Sequence, residues 1–200
     1  SRLGNGYVTD CKHEPHRSQQ TESVKCVVAG DKAVGKTELL KNTNEKITVG
    51  SKSIKLVLRE TVGQNQNDRS RPVAYGGTNV FILCFSISNR RSFDNIKVMW
   101  YPEVSQHSPE VPFLLVGTKK DIRGDRNILQ KLKQQNLTPV TKQQGEALAK
   151  EIKAVKYLEC STVKGGEGVN EVFEEAVRAY LNSKPKEQVD KSSESSCALQ

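Results

Sequence analysis

From Val24 onward the chain alternates short apolar runs with amphipathic stretches, whereas residues 1–22 show almost no apolar periodicity. "VKCVVAG" (Val24–Gly30) is a β-branched run ending in glycine, and "SIKLVLRE" (Ser53–Glu60) alternates like a strand with one buried face. "NVFILCFSI" (Asn79–Ile87) and "VPFLLVG" (Val111–Gly117) are continuous apolar runs, the pattern of strands covered on both faces. "VKYLEC" (Val155–Cys160) is a further strand. Helical spacing lies between the strands. "TKQQGEALAKEI" opens on Thr141 and has Gln144 at the third place after it, a capping-box signal. In "VNEVFEEAVRAYL", Val169, Val172, Phe173, Ala176, Val177, Tyr180 and Leu181 repeat at i, i+3, i+4 and i+7, which predicts one buried helix face. Such alternation predicts an α/β fold with a largely parallel sheet and ligands outside the carboxyl ends of its strands. Residues 1–22 are expected to be a disordered arm, 23–182 one folded domain and 183–200 a flexible tail.

Composition narrows this picture little. The 200 residues are 35% apolar and 27% charged, which fits a soluble chain with one large core. No apolar run approaches the roughly 20 residues needed to cross a bilayer. The polar N-terminus lacks the apolar segment of a secretory signal. Met99 is the only methionine, so a processed or truncated start is expected. Cys11, Cys26, Cys84, Cys160 and Cys197 form no spaced framework. Cys26, Cys84 and Cys160 sit in or beside apolar runs, and a reducing, cytosolic compartment is expected. The formal charge is +8, yet the basic residues are scattered and the aromatics fall within apolar segments. That pattern favours a solvated basic surface over nucleic acid, and leaves anionic lipid or acidic partners open. "CKHEPH" (Cys11, His13, His16) lacks a fourth ligand and a fold to hold a metal.

The chemistry is concentrated in three segments. "AGDKAVGKTELL" (Ala29–Leu40) contains Gly30-x-x-x-x-Gly35-Lys36-Thr37 between a strand and a helix. In that setting the backbone N–H groups from Gly30 through Asp31, Lys32, Ala33, Val34 and Gly35 can wrap phosphate oxygens. Lys36 can then reach the β- and γ-phosphates, and the Thr37 hydroxyl can ligate Mg²⁺. "GTKKD" (Gly117–Asp121, with Thr118 and Lys119) stands where an apolar strand ends. The Asp121 carboxylate can accept from both N1–H and the 2-amino group of guanine, a donor pair that adenine lacks. In "ECST", backbone N–H groups near Ser161 and Thr162 are candidates for the guanine O6. A TKxD sequence alone is an ordinary loop, but after a phosphate loop and the correct strand it predicts GTP or GDP.

From about Val24 to Leu181 the chain resembles a small GTPase of the Rho family, close to the Rac branch. The likeness is carried by "VKCVVAGDKAVGKTELL", "FILCFSI", "WYPEV" (Trp100–Val104), "VGTKKDIR" and "LTPVT…AKEIKAVKYLECS". "IRGDRNILQKLKQQNLTPV" also resembles the extra charged helix that sets Rho proteins apart. The resemblance implies a Ras-like P-loop fold: a six-stranded sheet with one antiparallel edge strand, surrounded by helices. It also implies GTP or GDP and Mg²⁺ as ligands, and a monomer.

Several positions depart from that family. Lys32 stands where the pattern has glycine, in space needed by a water-orienting glutamine and by an activating partner's arginine. Gln64 in "ETVGQ" matches that glutamine, and the Gly63 N–H can report the γ-phosphate. Glu60 replaces an aspartate that helps hold Mg²⁺ through water, and Val62 replaces alanine. Only residues 38–59 separate Thr37 from Glu60, where Rho chains carry nearly twice as many. "KNTN" (Lys41–Asn44) thus stands for almost the whole first switch, the segment that the γ-phosphate orders. The sequence predicts poor hydrolysis and faster nucleotide exchange.

The final Cys197-Ala198-Leu199-Gln200 fits C-a-a-X, with a glutamine that favours farnesyl. From Lys184 to Cys197, three lysines (Lys184, Lys186, Lys191) balance three acids (Glu187, Asp190, Glu194), so no basic patch backs the lipid. Reversible attachment to membranes, internal ones above the plasma membrane, is expected. Three functional readings stand: a regulated GTPase controlling actin or membrane traffic, a nucleotide-holding module that hydrolyses poorly and recruits partners, and a nucleotide-independent scaffold with only the outline of a GTPase.

Overall fold

The computed structural model describes residues 21–61, 70–163 and 165–185. Of the positions singled out above, Cys11, His13, His16, Val62, Gly63, Gln64 and Cys197 lie outside these residues.

Six strands form one sheet: β1 (Glu22–Gly30), β2 (Lys46–Val49), β3 (Lys52–Glu60), β4 (Val80–Ser86), β5 (Phe113–Thr118) and β6 (Tyr157–Glu159), in the order β2-β3-β1-β4-β5-β6. All neighbours are parallel except β2, which runs antiparallel to β3 at one edge. This is the expected sheet. β1 starts one residue inside the stretch read as an unstructured arm, because Glu22 pairs in register with Ile54. The Glu22 carboxylate also meets Lys184, just beyond the last helix.

Alternation along the strands divides the core in two. Val24, Cys26, Val28, Ile54, Ile82 and Val116 face α1 (Lys36–Lys41) and α7 (Val169–Ser183), which contribute Leu39, Val172, Phe173, Ala176 and Val177. Val27, Ala29, Phe81, Leu83, Phe85 and Leu115 pack on the opposite side against Phe93, Ile96, Trp100, Val104 and Leu148. All seven residues of β4 are buried, as its continuous apolar run predicts.

On that second side lie α2 (Arg71–Ala74), α3 (Arg90–Asn95), α4 (Tyr101–His107), α5 (Arg126–Gln134) and α6 (Lys142–Glu151). A π turn, Ile96–Trp100, joins α3 to α4. Pro102, just after it, has no N–H to donate, and its ring would crowd the carbonyl of the preceding turn. The wider π turn relieves that conflict. No helix was read at 90–107 from the sequence, although a signal was there. Asn89 caps the helix through the Ser92 N–H, and Ile96, Met99, Trp100 and Val104 recur at helical spacing. The expected charged extra helix is α5, capped by the Asp125 carboxylate on the N–H groups of Asn127 and Ile128. Thr141 and Gln144 form the capping box of α6.

Candidate nucleotide-binding site

Sheet order reverses around β1, so the carboxyl ends of β1, β3 and β4 open onto a common crevice. The phosphate loop starts there. Gly30 has to be glycine, since a Cβ would stand 2.2 Å from the Cys84 carbonyl oxygen of the adjacent strand. Gly35, at φ 100°, turns the loop into α1 in a conformation that L side chains rarely adopt. Ala33 is also left-handed, at φ 63°.

Lys36 lies across the loop, donating to the carbonyls of Gly30 and Asp31 at 2.8 Å each. Burial pushes the pKa of its ammonium down, partly offset by the charges of Glu60 and Asp31. A bound phosphate would reverse that cost, because it supplies the buried cation with a counter-charge. The Asp31 carboxylate turns away from the crevice. It accepts from Trp100 Nε1 and Asn95 Nδ2, both at 2.7 Å, and so pins the loop to the α3–α4 rod. The sequence singled out Asp31 as part of the loop backbone; this side-chain tether was not legible there.

The base end is tied to the same loop. The Thr118 hydroxyl reaches the Val34 and Phe85 carbonyls, and Lys119 Nζ donates to the Ala33 carbonyl at 2.9 Å. Asp121 Oδ1 accepts from the Ser161 hydroxyl at 2.6 Å, which orients the carboxylate. The Ser161 N–H donates to the Glu167 carbonyl at 2.9 Å. The Thr162 N–H has no backbone acceptor among the described residues. An ion pair from Lys120 to Glu167 braces the two base-side loops.

At the metal end, Thr37 Oγ1 donates to Glu60, with both carboxylate oxygens at 3.0 Å. Thr61 follows, only 5% exposed and with a hydroxyl that finds no partner among the described residues. Between α1 and β2 the chain has only Asn42–Glu45. Asn42 closes α1, donating to the Glu38 carbonyl from its backbone N–H and its Nδ2. Its Cβ packs beside Gly166 of the base-side loop. The resulting crevice, about 750 Å³, runs from Thr37, Glu60 and Thr61 past Lys32, Ala33, Gly35 and Lys36 to Lys119 and Thr162.

The Ras family profile matches residues 40–182. The Rho-related protein racC of Entamoeba histolytica is 40% identical over 199 residues, an alignment covering 91% of this chain and 99% of that protein. The chain belongs to the Rho family of small GTPases. It is therefore a GTP-binding signalling protein, of a family that binds GTP or GDP with Mg²⁺.

The residues present suit those ligands. Thr37 and Glu60 offer only oxygen donors, as a hard cation requires. Lys36 and the loop amides would hold the phosphates, and Asp121 would hold the base. Lys32 lines the crevice in this GTPase, and among the described residues nothing holds its ammonium elsewhere.

Proposed function

We propose that this Rho-family protein retains guanine nucleotide with Mg²⁺ but hydrolyses GTP slowly, so that its signal is set by its abundance and location. The observation that carries the reading is the Asn42–Glu45 connector, too short for a segment that closes over the nucleotide and responds to the γ-phosphate. Lys32 adds to it, as a long cationic side chain on the wall where attacking water must be placed. Gln64 and Gly63 supply the remaining catalytic roles in this reading: Gln64 orients water and Gly63 senses the γ-phosphate through its N–H. Mg²⁺, when bound, neutralises phosphate charge. The chain's own work is done by Thr37 and Glu60, which hold the metal, Lys36, which draws the phosphates in, and Asp121, which selects guanine.

The C-a-a-X pattern at Cys197 supports farnesylation, and the stretch of zero net charge before it supports reversible attachment to the cytosolic face of internal membranes. A role in actin regulation or membrane traffic, exercised as a monomer through protein effectors, is what the family suggests. A regulated GTP/GDP cycle is the second reading, favoured by the Thr37–Glu60 pair, because a competent metal end is what hydrolysis needs.

Single-turnover hydrolysis on GTP-loaded protein distinguishes the two. Lys32→Gly is expected to speed the reaction by at least about tenfold, the scale expected of a misplaced catalytic group. An unchanged rate would remove Lys32 as the block.

A further inference from the structure

We infer that Glu60 binds the metal directly, not through water, and so compensates for the ligand lost with the first switch. The inference rests on the nucleotide-and-Mg²⁺ reading above. Two oxygens bound side by side on an octahedral Mg²⁺ at 2.0–2.1 Å stand roughly 2.9 Å apart. Thr37 Oγ1 and either Glu60 oxygen, at 3.0 Å, already have that separation. One ion can meet both without movement of the backbone.

The backbone at Glu60 is also fixed. Glu60 pairs in register with Val28, and the next residue, Thr61, donates its N–H to the Val28 carbonyl at 2.9 Å. The extra methylene relative to aspartate cannot be taken up by retreat of the strand. It carries the carboxylate about 1.5 Å of bond length further into the crevice, into room that a bridging water would otherwise fill.

The connector offers no substitute. Its one threonine, Thr43, donates its N–H to the Leu40 carbonyl, and its hydroxyl is buried without a partner among the described residues. Thr43 is also absent from the walls of the crevice. Thr61 does line it, but its hydroxyl is buried away from the crevice. The metal shell then consists of Thr37, Glu60, a β-phosphate oxygen and waters, and no ligand comes from the connector.

The test is to load the protein with Mn²⁺ and GDP and count the metal's waters from ¹⁷O-water broadening of its electron paramagnetic resonance. Direct binding leaves about three waters of six positions, and Glu60→Asp should raise the number to about four. Mn²⁺ affinity should fall about tenfold in Glu60→Asp, although aspartate is the usual residue of the family. Thr43→Val should change neither value. Four waters in both parent and Glu60→Asp, or tighter metal binding by Glu60→Asp, would overturn the inference while leaving nucleotide binding intact. Failure of the parent to retain GDP, scored separately by calorimetry, would remove the nucleotide reading and this inference with it.

Discussion

Replacing Asp31 by alanine should destabilise the fold far more than its place in a surface loop suggests. The side chain is only 6% exposed, and its two oxygens serve two donors, Trp100 Nε1 and Asn95 Nδ2, at 2.7 Å. Hydrogen bonds to a charged group contribute about 1.5–3 kcal/mol each, and a buried donor left alone costs about 1–3 kcal/mol. Trp100 is fully buried, so its N–H has no route to water after truncation. A loss of about 3–4 kcal/mol is expected for Asp31→Ala. Asp31→Asn keeps an acceptor for Trp100, and Asn95 can flip its amide to meet the new donor. Only charge assistance is lost, about 1–2 kcal/mol. Trp100 is the only tryptophan, so its fluorescence follows urea unfolding at the site of the change. With a slope near 2 kcal/mol per molar urea, the midpoint should drop by about 1.5–2 M for alanine and about 0.5–1 M for asparagine. In a cycle with Trp100→Phe the two changes should couple by about 1 kcal/mol or more. An Asp31→Ala midpoint within experimental error of the parent, or equal losses for alanine and asparagine, would refute the tether.

Asp121→Asn should weaken GDP binding by about a hundredfold or more, because two charge-assisted contacts become one neutral contact and a donor–donor conflict. Titration with GDP and with xanthosine diphosphate checks this, and xanthosine diphosphate should become the better ligand. Burial holds the Cys26 and Cys160 thiols neutral up to about 12, against an ordinary value of 9.0. Their contribution is fully present below pH 9 and is lost as the pH rises towards 12, because only the unfolded chain ionises there. Denaturation midpoints should therefore decline across that window, and Cys26→Ser should flatten part of the decline. Labelling of both thiols at pH 8 should wait for unfolding.

The strands and the two best-patterned helices were legible because burial writes itself locally: two-sided burial makes β4 and β5 continuous apolar runs, and one-sided burial gives α7 its periodic face. The phosphate loop and the base loop were legible because each is contiguous in sequence. What sequence could not show is how they are joined. Asp31 meets Trp100 across 69 positions, and Thr118 meets Val34 across 84, contacts set by sheet order and not by local pattern. The Ser161 N–H likewise meets the Glu167 carbonyl, a partner that only the turn after β6 brings near. The segment 90–107 carries helical spacing in Ile96, Met99, Trp100 and Val104, but the π turn before Pro102 divides it into short pieces, none of which presents a long periodic face.

The central claim is a competent guanine-nucleotide site with slow hydrolysis, and the nucleotide carried by the natively purified protein tests it most directly. Purification with Mg²⁺ present, denaturation, and chromatography of the released nucleotide should yield mostly GTP. Mostly GDP would contradict the claim, by showing that Gln64 and the metal end still hydrolyse despite Lys32 and the missing switch.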